Sequence, residues 1–481
     1  MYLRIVLFKQ HTTIVIFTTF YLYERGLISV TEDPPYEILH IGFDDTDSTL
    51  SRCTTQLAFK ITDHLLKIDA KFIDYPLLIR LNPNIPWKTR GNGAVCLRVS
   101  VKSHDKIIEY IKQNVEKDSN IGTGANPGIV FFKGDEVPDS IKEFSRIAMF
   151  DILSRQKAEK IAKEHSLEYV TFGNGQGLVG SLAAIGCLLQ QDHTFEAIAY
   201  RKPEHCGTPR IVDISKVIEY SKNTFPNTFN NYDQSHRRIL ITPHGPDPVF
   251  CGIRGECPDV VVSSLQRLEI EEKLDGYMVF RSNQGTNMHL QNELKLSQIK
   301  DYTAGYIHCK ISTKPDTIQG GHVLFEIEDS TRAICSAAIY EPTGLTGIAS
   351  KLEIGDIIEI GYGVRKASSE YPKILNIEYL SILELVQIYD VLNPLCGSCG
   401  KRMKSEGRCK GFQCDRCKYK DRTRKKICVL RNRNIKTGLY LPSPKSHRHL
   451  TKPIHRYGME KSSVVFYPES KPFTSWFYSS R

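Results

Sequence analysis

Asp44-Asp45-Thr46-Asp47 places three carboxylates within four positions, directly after the apolar run Leu39–Phe43. A cluster of hard oxygens at a strand end can hold Mg²⁺ and the phosphates that such an ion bridges. A solvated acidic loop or a helix cap explains single carboxylates, but three acids between a strand and a helix favour a site. Cys53-Thr54-Thr55 opens the helical stretch that follows. Thr54 reads either as that helix's N-cap or as a hydroxyl beside bound phosphate at an anion-favouring terminus, and the residues alone leave the two even. Gly173-Asn174-Gly175-Gln176-Gly177 lies between a predicted strand and a predicted helix, where backbone N–H groups can cradle an anion. Tight strand-to-helix turns use glycine as well, and the run lacks the Lys-Ser/Thr ending of a P-loop. Thr46 and Ser48 join it as candidate phosphate contacts. Farther on, Pro243–Pro248 and Gly252–Gly255 read as a rigid polar stretch. There Arg254 can bind phosphate and Asp247 a cationic substrate, with a structured surface turn as the alternative.

A second chemistry sits near the C-terminus. Cys396-x-x-Cys399 is followed, after fourteen residues, by Cys414-x-x-Cys417. Two such knuckles bring four thiolates around one Zn²⁺, and a full thiolate shell leaves no open position for water, so the metal is read as structural. Cys409 is a spare thiol, but the symmetry of the two pairs favours 396, 399, 414 and 417. The other cysteines are scattered, which fits a reducing compartment.

The elements that must position these groups follow from periodicity. Leu39–Phe43 reads as a strand, and Thr54–Ile68 as a helix with Leu57, Ile61, Leu65 and Ile68 on one face. Leu77–Leu81, Ala94–Val101 and Ile129–Phe132 read as strands, with a helix over Lys106–Val115. A second unit alternates helix 155–165, strand 169–172, helix 180–189 and strand 195–200, which suits a ferredoxin-like split βαβ. Residues 223–233 read as a loop. Five strands between 305 and 380 suggest an OB-fold barrel, on which Tyr306, Phe325 and Tyr340 can stack on bases or simply fill the core.

At 481 residues the chain has length for about three to four domains of ~100–150 residues. The net charge of +10 is unevenly spread: residues 418–461 hold fourteen Lys and Arg against Asp421 and Glu460, and the rest sums to −2. A basic tail on a near-neutral body suggests a polyanion held at one end. The apolar stretch Ile14–Tyr23 is shorter than the ~20 residues a bilayer requires and lacks a small-residue cleavage site. It is read as an N-terminal extension, with no membrane role.

Taken together, Gly42-Phe43-Asp44-Asp45-Thr46-Asp47-Ser48 with Cys53-Thr54-Thr55, Arg80-Leu81-Asn82-Pro83, Arg90-Gly91-Asn92-Gly93-Ala94, Asn126-Pro127-Gly128, Phe172–Gly177 and the His244–Arg254 stretch resemble the archaeal tRNA 2-agmatinylcytidine synthetase family. The resemblance runs from about Ile38 to Lys426. It implies an α+β multidomain chain: an extension over 1–37, an ATP-binding kinase-like domain over 38–150, a ferredoxin-like domain over 151–245, a connector over 246–300, an OB-fold over 301–388, a zinc ribbon over 389–425 and a basic tail over 426–481. It implies that agmatine is joined to carbon 2 of the wobble cytidine of isoleucine tRNA with a CAU anticodon, so that the tRNA reads AUA, while ATP with Mg²⁺ is consumed to AMP. It also implies catalytic roles for Asp44, Asp45, Asp47 and Thr54, with Thr54 as an autophosphorylated residue. Phosphate contacts are expected at Thr46, Ser48, Gly173, Asn174, Gly175, Gln176, Gly177 and Arg254. The agmatine or cytidine pocket is expected at Asn126, His244 and Asp247. A cytoplasmic enzyme is expected. The alternative is a non-catalytic nucleic-acid binder built on barrel, ribbon and tail, which leaves the N-terminal half without a role.

Overall fold

The computed structural model describes residues 36–48, 52–369, 372–461 and 475–481. The apolar N-terminal stretch lies outside them. Strand β1 (Glu37–Asp44) is buried without a break from Leu39 to Phe43, as a strand covered on both faces is: Leu39, Ile41 and Phe43 enter one core while Gly42 meets a helix on the other side. Around it lie β2 (Lys71–Phe72), β3 (Leu77–Arg80), β4 (Gly93–Val101), β5 (Gly128–Lys133) and β6 (Glu168–Thr171). Next come β7 (Thr194–Arg201), β8 (Thr228–Phe229), the separate short pair β9 (Tyr232–Asp233) and β10 (Arg238–Ile239), then β11 (Val249–Gly255) and β12 (Leu274–Ser282). One sheet runs β6-β5-β1-β4-β3-β12-β7-β11-β8. Helices α1 (Thr54–Lys67) and α2 (Asp105–Asp118) bury Leu57, Ile61, Ile107 and Ile111 against one face of its first half. On the opposite face lie α3 (Asp139–Ala148), α4 (Arg155–Glu164) and α5 (Gly177–Gly186). The second half is backed by α6 (Ile214–Thr224) and α7 (Pro258–Gln266).

The two halves meet where β3 pairs in parallel with β12. At this seam the buried Arg281 donates to Asp74, which also faces Arg98, and to the carbonyls of Leu188 and Leu189. Two expectations from sequence change here. A boundary at residue 150 does not hold, because β6 pairs with β5 and α5 packs on β1 and β5, tying residues 155–186 to the first half. Residues 246–300 are not a connector: they supply β11, α7 and β12, and β12 is the central strand that joins the halves. The buried run Met278-Val279-Phe280 within it is the period-independent signature of a strand covered on both faces.

Five strands then close a barrel: β13 (Ala304–Ile311), β15 (Val323–Glu328), β16 (Ile334–Ile339), β17 (Ile357–Arg365) and β18 (Ile374–Glu384), with the two-residue β14 (Asp316–Thr317) beside β15 and the short helix α8 (Thr346–Ala349) ahead of β17. Pairing of β13 with both β17 and β15 completes the circle. Phe325 is core here and unavailable to a base, whereas Tyr306 and Tyr340 are half-buried. A stalk of β19 (Tyr389–Leu392) with β23 (Ile427–Leu430) carries a three-stranded ribbon of β20 (Lys404–Ser405), β21 (Phe412–Gln413) and β22 (Lys420–Asp421).

The expected basic tail is instead a strap over the body. β24 (Gly438–Tyr440) pairs with β18 of the barrel, and β25 (Phe477–Ser479) pairs with β12 of the main sheet. Many of its charges meet internal partners. Arg433 is bonded to buried Asp356, Arg448 to Glu378 at 3.0 Å, Lys461 to Glu256 at 2.9 Å and Arg481 to Asp275. Arg456 is fully buried between Asp192 and Glu256. Positive charge in sequence therefore overstates positive charge at the surface, because the acids that neutralise the strap come from distant parts of the chain. No helix among the described residues is long and apolar enough to cross a membrane.

Candidate active site

A cavity of about 370 Å³ opens at the seam between the two halves of the sheet. One end is formed by Asp44, Asp45, Asp47, Cys53, Thr54, Thr55, Gln176 and Gly177, and the other by Arg80, Glu196, Arg254, Asp247 and His449. Loop residues Trp87–Gly91 border it as well. The pleat explains the sheet wall: Leu78 and Arg80 of β3, Glu196 and Ile198 of β7, and Gly252 and Arg254 of β11 face the cavity on alternate positions.

The acidic end depends on how β1 terminates. Asp45 adopts φ of 57°, a left-handed conformation that aspartate tolerates better than most residues. The turn brings Asp44, Asp45 and Asp47 to one cavity although they are adjacent in sequence. Burial and the neighbouring Asp47 charge push the Asp45 carboxyl up to about 7, against the hydrogen bonds from Asn126. Burial also raises Asp44, with Asp45 and Asp47 adding to it. Asp47 is raised by burial, while Arg90 and the hydroxyls of Thr89 and Thr54 pull it back. Such a site has surplus negative charge that a cation relieves. Among the described residues the cysteine cluster alone brings three or more ligand atoms within 4.8 Å of one another. The carboxylate oxygens of Asp44, Asp45 and Asp47 do not reach that spacing.

Thr54 is resolved by geometry. Helix α1 begins at Thr54 itself, with Cys53 in the cap position and no side-chain cap bond. Its hydroxyl instead accepts from Thr46 Oγ1 at 3.0 Å and points toward Asp47 Oδ1 at 3.5 Å. Thr89 Oγ1 donates to the same Asp47 oxygen at 3.1 Å. Ser48 lies behind this group, where Asn120 Nδ2 and Thr123 Oγ1 donate to its hydroxyl.

The glycine run is differently placed from the expected anion cradle. The N–H groups of Asn174, Gly175, Gln176, Gly177, Leu178 and Val179 donate to Asn126 Oδ1, Phe172 O, Asn174 Oδ1, Asn126 O, Gly175 O and Gln176 O. The donors are used within the turn, and Gly173, Asn174 and Gly175 do not line the cavity. The glycines serve close approach: a Cβ on Gly180 would fall 1.8 Å from Asp44 Oδ2, and one on Gly177 2.6 Å from Asp44 O. Gly180→Ala is therefore expected to displace the Asp44 carboxylate, lowering turnover well beyond the about 1–3 kcal/mol of stability that overpacking costs. Turnover assays beside thermal melting check this, and unchanged turnover would show that Asp44 does not need its position.

At the basic end, Glu196 accepts from Arg254 Nε at 3.2 Å and from Gln284 Nε2, with Arg80 4.0 Å away. Arg254 also donates to His449 Nδ1 at 2.9 Å. Burial, then the charges of Arg80, Arg254 and Lys88, hold His449 well below the usual imidazole range, so it is neutral there. Asp247 is engaged by Arg210 at 3.3 Å and by Arg90 at 3.9 Å, which leaves it less open to a cationic ligand than expected. His244 lies outside the cavity lining, its ring against Arg238, and Asn126 braces Asp45 from behind. In the sequence Arg80 enters only as part of a motif that carries the resemblance, and Glu196 and His449 do not enter at all. A lone acid inside the apolar strand Phe195–Tyr200 is a legible signal for Glu196, whereas nothing local marks His449.

The four cysteines at 396, 399, 414 and 417 gather as expected, with Sγ atoms 3.5 Å apart for 396 and 417 and 3.4 Å for 399 and 414. Both knuckles close alike: the N–H of Gly400 bonds Cys396 O and that of Lys418 bonds Cys414 O, each at 2.9 Å. Gly400 and Lys418 hold φ of 72° and 61°. Cys409 is exposed and outside the cluster. The donor set suits Zn²⁺. Cys399→Ser is expected to lose the metal and unfold the ribbon, since its core is little more than Met403 and Phe412 with the cysteines. The main sheet's thermal transition should persist. Zinc analysis and melting check it, and retained zinc would point to another ligand.

Three domain families match the sequence: TiaS TCKD domain at residues 40–104, TiaS FLD domain at 175–289 and TiaS C-terminal zinc ribbon domain at 393–435. A Cenarchaeum symbiosum (strain A) protein, named as the 2-agmatinylcytidine synthetase TiaS of the second isoleucine tRNA, is 40% identical over 443 residues, covering 92% of this chain and 97% of its own. The crystal structure of TiaS in complex with that tRNA and ATP superposes with a TM-score of 0.78 at 32% identity, covering 87% of this chain and 97% of its own. The crystal structure of TiaS with that tRNA, AMPCPP and agmatine gives 0.76 at 30% identity, with the same coverage.

Proposed function

The chain belongs to the TiaS family of tRNA 2-agmatinylcytidine synthetases, and we propose on that footing that it joins agmatine to carbon 2 of the wobble cytidine of isoleucine tRNA with a CAU anticodon, consuming ATP. The observation that carries this reading is the seam cavity, whose lining brings Asp44, Asp45, Asp47 and Thr54 together with Arg80, Arg90 and Arg254. A chain that only bound RNA would have no use for three crowded carboxylates, Asp47 buried and Asp44 and Asp45 half-buried, whose raised pKa values mark the cost of placing them together.

The first half of the sheet is read as the kinase-like part, the second as ferredoxin-like and the barrel as an OB-fold. The cytosine 2-oxo group leaves poorly. Its oxygen attacks the γ-phosphorus of ATP and expels ADP, which makes a phosphate ester; the agmatine amine then adds at carbon 2, loses a proton and expels that phosphate, and cleavage of the β-phosphoryl group of the ADP, with water as final acceptor, leaves AMP. Mg²⁺ held by Asp44, Asp45 and Asp47 neutralises phosphate charge when bound. The α1 N-terminus at Thr54 and Thr55 and the guanidiniums of Arg80, Arg90 and Arg254 face the remaining phosphate oxygens. Asp47 and Thr46 hold the Thr54 hydroxyl in place to receive a phosphoryl group. The acids at the wall, Asp151 and Asp247, face the cationic agmatine, and Arg210 limits what Asp247 alone contributes. The base reaches the cavity by leaving the anticodon stack.

The test is direct. Purified chain, ATP, agmatine and a CAU-anticodon transcript should yield AMP and one agmatine-bearing nucleoside in the RNA digest. A transcript with U at the wobble position should yield no modified nucleoside. Product without agmatine, or none from the CAU transcript, would overturn the reading.

A further inference from the structure

Trp87 stands where a nucleobase would enter. The chain has two tryptophans. Trp476 packs against Phe72 and Phe477, whereas Trp87 is 53% exposed and lines the seam cavity. An indole left this open while bordering a polar cavity is unusual, since tryptophan is highly buried on average.

The loop that carries it is braced from three directions. Asn82 is fully buried: its Nδ2 donates to Tyr302 O at 2.9 Å, and its Oδ1 accepts from Asn84 N at 3.0 Å. Asn84 Oδ1 accepts from Arg448 of the strap at 2.7 Å. A Cβ on Gly363 of barrel strand β17 would fall 2.4 Å from Asn84 Oδ1, so the loop presses onto the barrel. Pro83 and Pro86 restrict it further. The Tyr302 ring packs steeply against the indole, with centroids 6.4 Å apart and planes at 72°, and still leaves Trp87 widely exposed. The loop thus spans from barrel to cavity, with the basic side chains of Lys88 and Arg90 following the indole. A rigid, open aromatic face beside cations, at the mouth of a cavity that must receive one base, is a stacking platform.

Resting on the proposed function, we infer that Trp87 is a specificity-determining contact on which the wobble nucleobase stacks as it leaves the anticodon and enters the cavity. The ring selects for an extruded planar base and leaves the phosphoryl chemistry to the acidic end.

The experiment compares wild-type chain, Trp87→Ala and Trp87→Phe, using three anticodon stem–loop RNAs: CAU, one abasic at the wobble position and one abasic at the adjacent anticodon position. The fluorescence difference between wild type and Trp87→Phe isolates the Trp87 signal. That signal should be quenched by the CAU and adjacent-abasic RNAs and not by the wobble-abasic RNA. In Trp87→Ala, kcat/KM for tRNA should fall roughly 5- to 150-fold, with most of the activity restored in Trp87→Phe. Turnover-independent ATP binding should not change. Equal quenching by the wobble-abasic RNA would overturn the assignment, as would wild-type kcat/KM in Trp87→Ala. A loop defect alone would weaken Trp87→Ala without making the wild-type quench depend on the wobble base, and that result also overturns it. Should the wild-type chain form no agmatine-bearing nucleoside, the underlying functional reading falls; product formation with an unquenched Trp87 removes this inference only.

Discussion

Asp45→Asn is expected to lower AMP and agmatinylcytidine formation by orders of magnitude while leaving tRNA binding nearly intact. Asparagine keeps the shape and tolerates the left-handed φ of 57° at this position, so the turn itself should survive. What changes is one negative charge at the proposed Mg²⁺–ATP site. Phosphoryl transfer draws most of its catalysis from positioning and charge neutralisation, so the loss falls on the chemical step. The barrel and ribbon are formed by later elements of the chain and are not altered by this substitution. Thr54→Ala should likewise spare binding, and because Thr54 makes no cap bond, the ~1 kcal/mol penalty of a lost N-cap is not expected. The readouts are AMP, phosphothreonine and modified nucleoside, beside tRNA binding and melting. Wild-type turnover by Asp45→Asn would remove the metal assignment. Wild-type turnover by Thr54→Ala would remove the phosphoacceptor role alone.

Local signals are legible in the sequence, and non-local ones are not. The strand before Asp44, the helix from Thr54 and the five barrel strands follow from periodicities of 2 and 3.6, which a chain segment carries within itself. The cysteine knuckles are similarly self-contained. The seam is not, because β12 and β3 come from positions about two hundred residues apart and join through Arg281 and Asp74. That Glu196, Asp247 and Arg254 come to line one cavity with the aspartates therefore has no local mark. The glycine run shows a different limit. Spacing reveals that glycine is needed but not why, and here the reason is contact with β1 at Asp44 rather than free N–H groups. Charge runs mislead in the same way: Lys452, Arg456 and Lys461 read as tail because Asp192 and Glu256 cannot be paired with them by sequence distance.

Arg456 turns that correction into a stability experiment. Its side chain has no exposure, and it bonds Glu256 through Nε, Asp192 at 2.8 Å through one terminal nitrogen and Gly285 O through the other. Arg456→Met keeps much of the volume and leaves two buried carboxylates short of their main cation. Breaking a buried pair from one side costs about 3–5 kcal/mol, because the desolvated charge remains without its partner. Lys461, 2.9 Å from Glu256, softens the loss without replacing the fork that reaches Asp192. The damage should spread to the cavity. Gly285 N and Asn287 N donate to His449 O and Leu450 O, so the strand end that Arg456 pins also holds His449 beside Arg254. Urea unfolding should show the midpoint drop, and kcat/KM should fall in the same variant. Adding Asp192→Asn and Glu256→Gln removes the stranded charges and should recover a large part of the stability, though not the activity. Lys425→Ala, an exposed basic residue of the same charged stretch, should leave the midpoint in place. If Arg456→Met instead behaves like Lys425→Ala in urea, the strap is a loosely held tail and its charges are free to serve RNA.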